Sequence, residues 1–443
     1  MVAATGGRLI AGGDPGGGGF SEIATDSRTV GRGGLFVPIV AERDGHDFIA
    51  DAVAAGATGS LVEAGRGAPG AAGISVVEVP DTAAALLDLG RAARRRVRGP
   101  VTGITGSVGK TSTKDLLAAA LATCMRVVAS EKSFNNELGV PLTLANAPDD
   151  SQAAVVEMGA RGVGHIALLC SVARPTIGVV TAVAAVHTEC FGSLEAVAEA
   201  KGELVEALPP DGTAVLNGDD PRVSAMAARS GAPVLRYSAA GAAGSDVAAA
   251  GVTLGADLRP SFVVHSPWGS AEVQLAARGA HQVGNALAAV AVASVCGVPI
   301  EETAAALGRQ AVSPWRMELG RSTDGTLVLN DAYNANPASV AAALRALAAL
   351  DASRRVAVLG PMAELGDGSA AAHSEAASLA SRLGLELLAV GTDAYGVTDE
   401  VDDLDGAEAW LRRRGASGDG VAVLVKGSRV AGLERLARRL LEG

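Results

Sequence analysis

The sequence predicts an α/β protein of three domains, and three observations carry that expectation. From Val101 onward, short β-rich runs, glycine turns and helical stretches alternate, which is the pattern of βαβ units around a parallel sheet. The chain has 443 residues, more than a single hydrophobic core accommodates. Its apolar content is 49% with only 3% aromatic, so alanine and valine supply much of the buried surface and suit close helix–sheet packing.

The first section, residues 1–98, mixes short apolar runs with glycine-rich turns such as GGDPGGGG and closes on RAARRRVRGP. Those arginines form either a polyanion patch or the solvated end of a helix before a boundary at Gly99-Pro100. In the second section, 99–313, strands are expected at Val101–Thr105, Ala153–Glu157, Thr176–Val183 and Thr213–Asn217. A third section, 314–443, begins after Ser313, with strands expected at Thr326–Asn330, Arg355–Leu359, Leu387–Val390 and Val421–Val425, again alternating with helices as in a Rossmann-like domain. No internal repeat is evident.

Composition excludes several classes. Mean hydropathy is +0.29, yet the best apolar run, Ala286 to Ile300, is shorter than the roughly 20 residues a bilayer span needs. The start, MVAATGGRLIAGG, lacks a basic segment followed by a sustained apolar one, so a cytoplasmic protein with no membrane insertion is expected. A net charge of −11 argues against a nucleic-acid partner. It leaves nucleotides open, because glycines, a helix N-terminus and metal ions hold phosphates locally. Cys124, Cys170, Cys190 and Cys296 lie far apart without C-x-x-C spacing and read as buried small apolar residues, not as disulfides or a zinc site.

The stretch GITGSVGKTSTKDLL, Gly103 to Leu117, reads as a phosphate loop opening into a helix. Its leading glycine stands one place early, since the G-x-x-x-x-G-K-[ST] spacing puts Ile104 at that position. The rest fits. Backbone N–H groups from Gly106 through Ser107, Val108 and Gly109 to Lys110 can cradle phosphates, Lys110 can reach the β- and γ-phosphates, and the Thr111 hydroxyl can bind Mg²⁺, with Thr105 and Ser112 flanking them on the ATP side. Glu157 ends the run QAAVVE, at the edge where open parallel sheets present ligands, and suits a metal carboxylate or a strand-end ion pair.

The segment SLEAVAEAKGELVEAL predicts a helix capped by Ser193. Steps of three and four from Leu194 pass through Val197, Lys201, Leu204 and Leu208, which puts Lys201 on the apolar stripe. Such a lysine either snorkels to water or is desolvated, in which case its pKa falls and the neutral amine can take up CO₂ as a carbamate. His187, just before this helix, is a possible polar neighbour.

Taken in order, these pieces resemble the Mur ligase family over most of the chain. GITGSVGKTST is similar to that family's variant of the phosphate loop, and SFNNELGVPLTL, EMGARGVGHI, VHTECFGSLEAVAEAKGEL, LNGDDPRV, GAHQVGNALAAVAVA, NDAYNANPASV, LGPMAELG and VLVKGSR resemble its ordered motifs. TDSRTVGRGGLFVPI and DGHDF resemble its N-terminal UDP-sugar-binding domain. Val108, Gln282, Gly284, Trp315 and Ala41-Glu42 depart from the usual residues at their places.

The resemblance implies domains at 1–98 (UDP-substrate binding), 99–313 (ATP binding) and 314–443 (ligase, with nucleotide and amino-substrate contacts). It implies an ATP-dependent amide ligase of peptidoglycan precursor synthesis. That enzyme joins D-alanyl-D-alanine to UDP-N-acetylmuramoyl-tripeptide through an acyl phosphate, and is expected as a monomer. Lys201 matches the carbamylated lysine, and Thr111, Glu157 and His187 match positions around two Mg²⁺ ions. His281, Asn285, Arg316, Asp331, Asn334 and Asn336 match nucleotide-side residues, while Ser27, Arg28, His46, Asn135 and Asn136 match the UDP-substrate side. Local readings stand beside these: Asn336-Pro337 is a good helix cap, His281 and Asn285 open a helix, and Asp331 is a strand-end acid. The rivals are a sister ligase adding one amino acid, a folylpolyglutamate synthase, an NTPase switch or motor, and a non-catalytic UDP-sugar binder.

Overall fold

The computed structural model describes the chain apart from residues 13–18, 69, 132–133, 185–187 and 443, and apart from the side chains of 188 and 190. By contact density the chain forms two compact units: Met1–Gly103 with Met125–Gly159 and Ile166–Ile177, and Ile104–Cys124 with Ala160–His165 and Gly178–Gly443.

The first unit holds a sheet in the order Arg8–Ala11, Ser75–Val79, Gly59–Glu63, Leu35–Phe36, Ile23–Ala24, antiparallel at its first pair and parallel beyond. Alternation along these strands builds two cores. Val62 and Val76 pack with Ile49 and Ala52 of helix Ile49–Ala55 on one face, and Leu61 and Val77 pack with Leu86 and Leu89 of helix Thr82–Arg94 on the other. Asp81 caps the second helix by accepting the Ala84 N–H at 2.9 Å. The basic run ends this helix and is structural. Arg94 Nε donates to the Ala173 carbonyl at 2.7 Å, and Arg96 Nη2 donates to the Ala145 carbonyl at 2.8 Å. Strand Ala153–Glu157 pairs in parallel with Val127–Ala129 in the same unit.

In the second unit, Thr213–Asn217 and Val234–Ser238 pair in parallel, and Val234–Ser238 continues in parallel into Val247–Leu254. That strand then pairs antiparallel with Pro260–Ser266 and through it with Gly269–Gln274, a meander that strand–helix alternation did not anticipate. The apolar run near 286 is the helix Gln282–Val295. It is buried on nearly every side, which is why it reads as hydrophobic all round, and no helix among the described residues is long and apolar enough to cross a membrane.

The third section of the sequence carries a six-stranded sheet in the order Glu318–Arg321, Leu327–Asn330, Val421–Lys426, Arg354–Leu359, Glu386–Val390, Glu400–Val401, parallel except for the first pair. Ala357 and Leu359 face one core while Val356 and Val358 face the other, so helices cover both sides as a parallel sheet requires. The expected strands match these within a residue or so, whereas Thr176–Val183 shortens to Ile177–Val180. Cys124, Cys170 and Cys296 form no disulfide among the described residues. Cys124 is exposed rather than buried, with its thiol 3.3 Å from Glu302 Oε2.

Candidate active site

Strand Val101–Thr105 is buried throughout and delivers the phosphate loop to helix Lys110–Leu121. Gly106 and Gly109 adopt φ 147° and 86°, a region that L side chains avoid. A Cβ at Gly106 would lie 1.9 Å from Thr181 Oγ1, and one at Gly109 would lie 2.4 Å from Asn285 Oδ1. These positions require glycine for space as well as for φ. The loop is tied down from the strand-end segment 181–184. Thr181 Oγ1 donates to the Val108 carbonyl at 2.5 Å, the Ser107 N–H donates to the Ala182 carbonyl at 2.8 Å, and Ser107 Oγ donates to the Ala184 carbonyl at 2.9 Å. Val108 is therefore used through its carbonyl, and nothing in the structure explains its apolar side chain. The Lys110 ammonium folds back onto the Gly106 carbonyl at 2.6 Å, inside the cradle. Thr111 and Ser112 are both buried in the first helical turn.

Lys201 lies on helix Leu194–Glu206, which Ser193 caps by accepting the Ala196 N–H at 3.1 Å. The stripe predicted from its period packs with Val197, Val205 and Leu208, and Lys201 is 3% exposed. Snorkelling is thereby excluded. Burial, and then the charge of Lys110, lower its pKa from 10.5 to about 7. Among the described residues no side chain forms an ion pair or hydrogen bond with its ammonium.

Arg316 and Asp331 come together at the start of the third section. Arg316 Nη2 donates to Thr111 Oγ1 at 3.0 Å, and its guanidinium stacks 4.1 Å above the Tyr333 ring. Trp315 and Met317, on either side of it, have φ of 60° and 53°, a region that L side chains rarely adopt. Here Arg429 stacks on Trp315 at 4.4 Å. Asp331 Oδ1 accepts the Met317 N–H at 3.1 Å, and Oδ2 accepts from Lys426 Nζ at 2.6 Å. Just before this turn, Ser313 donates from both N–H and Oγ to Asp115 Oδ2, at 2.7 and 2.6 Å, and Asp115 pairs with the buried Lys114 at 2.9 Å.

Asn334 is exposed beside Asp331, and its carbonyl accepts from Lys426 at 2.9 Å. The Asn336 side chain is occupied in a capping box. Its Oδ1 accepts the Ser339 N–H at 2.9 Å, and Ser339 Oγ accepts the Asn336 N–H at 3.0 Å, with Pro337 in the first turn. His281 is exposed at the start of Gln282–Val295 and makes no side-chain cap bond. Asn285 is buried. It donates to Gln282 Oε1 at 2.8 Å and accepts from Thr113 Oγ1 at 3.3 Å, so it supports the phosphate-loop helix.

In the first unit, Glu157 is 1% exposed at the end of its strand and accepts from Asn135 Nδ2 at 2.8 Å. Asn136 Oδ1 accepts the Gly139 N–H at 2.9 Å and so steadies the start of helix Gly139–Ala145. Ser27 is buried. Arg28 is exposed and clamps Asp26 in a bidentate pair at 2.9 and 2.6 Å, holding that carboxyl down at about 2. His46 has no ring nitrogen left for a substrate. Nε2 accepts the Glu63 N–H at 3.1 Å, so Nδ1 carries the proton and donates to Asp44 Oδ1 at 2.7 Å. In this structure both ring nitrogens of His46 are engaged, and the residue pins the 3₁₀ turn Gly45–Phe48 to strand Gly59–Glu63. His187 lies outside the described residues.

Two residues that sequence reasoning passed over belong to this arrangement. Thr181 follows the strand Ile177–Val180, and Lys426 ends the apolar run VAVLVK. A polar residue closing a buried strand at its carboxyl end was the available signal for both.

Comparison with known proteins agrees with this geometry. The family model described as Mur ligase middle domain matches residues 104–293, and the one described as Mur ligase, glutamate ligase domain matches 315–429. The chain is 42% identical over 472 residues to a UDP-N-acetylmuramoyl-tripeptide–D-alanyl-D-alanine ligase of Mycobacterium tuberculosis, covering 95% of this chain and 92% of that protein. It is 35% identical over 429 residues to the ligase of the same name from Escherichia coli, covering 95% and 93%. A crystal structure of MurF from Acinetobacter baumannii superposes with a TM-score of 0.90 at 30% identity, covering 100% of this chain and 98% of the other. MurF ligase from Thermotoga maritima, in complex with ADP, superposes with a TM-score of 0.83 at 26% identity, covering 95% and 96%.

Proposed function

This chain belongs to the Mur ligase family, and on that premise we propose how its residues carry out ligation. The protein is an ATP-dependent amide ligase of peptidoglycan precursor synthesis that joins D-alanyl-D-alanine to UDP-N-acetylmuramoyl-tripeptide. The observation that carries the mechanism is a glycine-built phosphate loop together with a lysine that is buried, without a described side-chain partner, and lowered by burial to a pKa of about 7.

In this reading the terminal carboxylate of the tripeptide attacks the γ-phosphorus of ATP, giving an acyl phosphate and ADP. The amine of D-alanyl-D-alanine then attacks the acyl carbon, the tetrahedral adduct collapses and phosphate leaves. Lys110 turns from the Gly106 carbonyl to the transferring phosphoryl group and offsets its charge. Thr111, Glu157 and Lys201 each offer a group that suits a divalent cation: a buried hydroxyl, a buried carboxylate, and an amine able to become a carbamate. With His187 these residues would hold two Mg²⁺ ions, which when bound neutralise phosphoryl charge. Arg316, Asp331, Asn334 and His281 face the nucleotide side, while Asn285 and Asn336 serve mainly as supports. Ser27, Arg28, Asn135 and Asn136 serve the UDP-substrate side.

We further assign three working domains at 1–98, 99–313 and 314–443. The gap between the two family matches, 294–314, supports the second boundary. Acyl phosphate hydrolyses in water, so turning at 99–100 and 313–316 is needed to close the site. A cytoplasmic monomer acting on these small substrates completes the reading.

The test is phosphate release with each substrate omitted in turn. Release is expected only when ATP, the UDP-tripeptide and D-alanyl-D-alanine are all present. Release indifferent to both acceptor substrates would make the protein an NTPase instead.

A further inference from the structure

Lys426 closes a strand that is buried along its whole length and lies between two parallel neighbours, Leu327–Asn330 and Arg354–Leu359. A charge there is costly unless it is paired and hydrogen-bonded. Its ammonium has three acceptors, all on the turn leaving Leu327–Asn330: Asp331 Oδ2 at 2.6 Å, the Asn334 carbonyl at 2.9 Å and the Asp331 carbonyl at 3.3 Å. The pairing uses only one carboxylate oxygen of Asp331. The other accepts the Met317 N–H.

That second bond has consequences. Met317 sits in the left-handed region, as does Trp315 two residues earlier, so the backbone around Arg316 adopts a conformation that local preferences oppose. Asp331 fixes the far side of this turn, and the Tyr333 N–H fixes the near side on the Trp315 carbonyl at 3.2 Å. Between these anchors Arg316 is aimed at Thr111, with Tyr333 beneath its guanidinium. The contacts run without a gap from Lys426 through Asp331, Met317 and Arg316 to the first turn of the phosphate-loop helix.

We propose that Lys426 is a positioning residue for ligation. By holding Asp331 it fixes the strained turn at 315–317 and so sets where the Arg316 guanidinium meets the nucleotide. This rests on the reading of Arg316 as a nucleotide-side residue. A lysine serving only to neutralise a buried carboxylate would instead act on folding, independently of Arg316.

The experiment is a double-mutant cycle on the full chain, measured as phosphate release with all three substrates, using Lys426→Met, Arg316→Ala and the double variant. Lys426→Met is expected to raise KM for ATP about tenfold or more while leaving KM for the UDP-tripeptide within about twofold. The double variant is expected to be no worse than Arg316→Ala to within about twofold. Losses that multiply would overturn the proposal and leave the reading of Arg316 intact. If Arg316→Ala leaves the ATP kinetics unchanged, that reading fails and the proposal falls with it. Should Lys426→Met not fold, Lys426→Arg keeps the charge at a different reach and is taken through the same cycle, with the same outcomes deciding.

Discussion

The Thr111 hydroxyl accepts a hydrogen bond from Arg316 Nη2 at 3.0 Å, which ties the phosphate-loop helix to a residue 205 positions later in the chain. The same oxygen is the one proposed to meet a metal ion, and its two lone pairs leave room for both partners. Thr111→Ser keeps the oxygen and is expected to hold ligation within about tenfold, whereas Thr111→Val keeps the shape and is expected to lose 100-fold or more, about 3 kcal/mol. Steady-state kinetics of the two variants decide this. Equal losses would mean that shape rather than the hydroxyl matters.

Lys201 makes stability depend on pH in a stated direction. Its folded pKa of about 7 lies below its ordinary 10.5. Between these values the unfolded chain holds a proton that the folded chain lacks, so stability rises with pH across the window, and the full penalty is present below about pH 7. The shift corresponds to a penalty on the order of 5 kcal/mol. In CO₂-free, Mg²⁺-free buffer, Lys201→Met is expected to be more stable than the parent at pH 7, with the gap closing towards pH 10. Urea unfolding at several pH values measures it, and a gap that does not change with pH would refute the assignment.

What was legible in the sequence depended on how far apart the partners stand. The phosphate loop was readable because its glycines, lysine and threonine are consecutive. Lys201 was readable because a helical period placed it among Val197, Leu204 and Leu208. The strands of the third section were readable because their alternation is local. The contacts of Asp331 with Lys426 and of Arg316 with Thr111 span 95 and 205 positions, and no local pattern signals them. The hydrogen bond that the Glu63 N–H gives to His46 Nε2 reaches across to a neighbouring strand in the same way. The meander Val247–Gln274 was missed because its first and last strands, Val247–Leu254 and Gly269–Gln274, are largely exposed and lack a clear apolar alternation.

Gly106 and Gly109 test the cradle sterically. Gly109→Ala brings a Cβ to 2.4 Å from Asn285 Oδ1, in a backbone region with φ of 86°. ATP binding, followed by calorimetry, is expected to weaken at least 100-fold, with about 1–3 kcal/mol of stability lost to backbone strain. Adding Asn285→Ala removes the obstructing amide but not the strain, so only partial recovery is expected. Full recovery would show that φ plays no part.

Asn336 has a cap to lose. Asn336→Ala removes the acceptor for the Ser339 N–H and is expected to cost about 1 kcal/mol of stability, while Asn336→Asp retains the cap and costs little. Ligation kinetics separate the two readings of this residue. If Asn336→Asp matches the parent in stability and in KM for both ATP and D-alanyl-D-alanine, the side chain is a support. A large rise in KM with unchanged stability would assign it to the substrate.

The carbamate makes the most specific prediction about Lys201. Lys201→Ala removes the amine from a buried site and leaves space where a short carboxylic acid can enter. Activity is expected to fall at least 1,000-fold, about 4 kcal/mol in the barrier, because on the proposed reading an anion that shapes the metal site is lost. Millimolar acetate or formate is expected to restore part of it, saturably, and chloride at the same ionic strength none. Rescue by carboxylate but not by chloride requires the missing group to have been an oxygen anion, which an unmodified ammonium cannot be. Absence of rescue, with the variant folded and still binding ATP, would assign Lys201 a role as a cation.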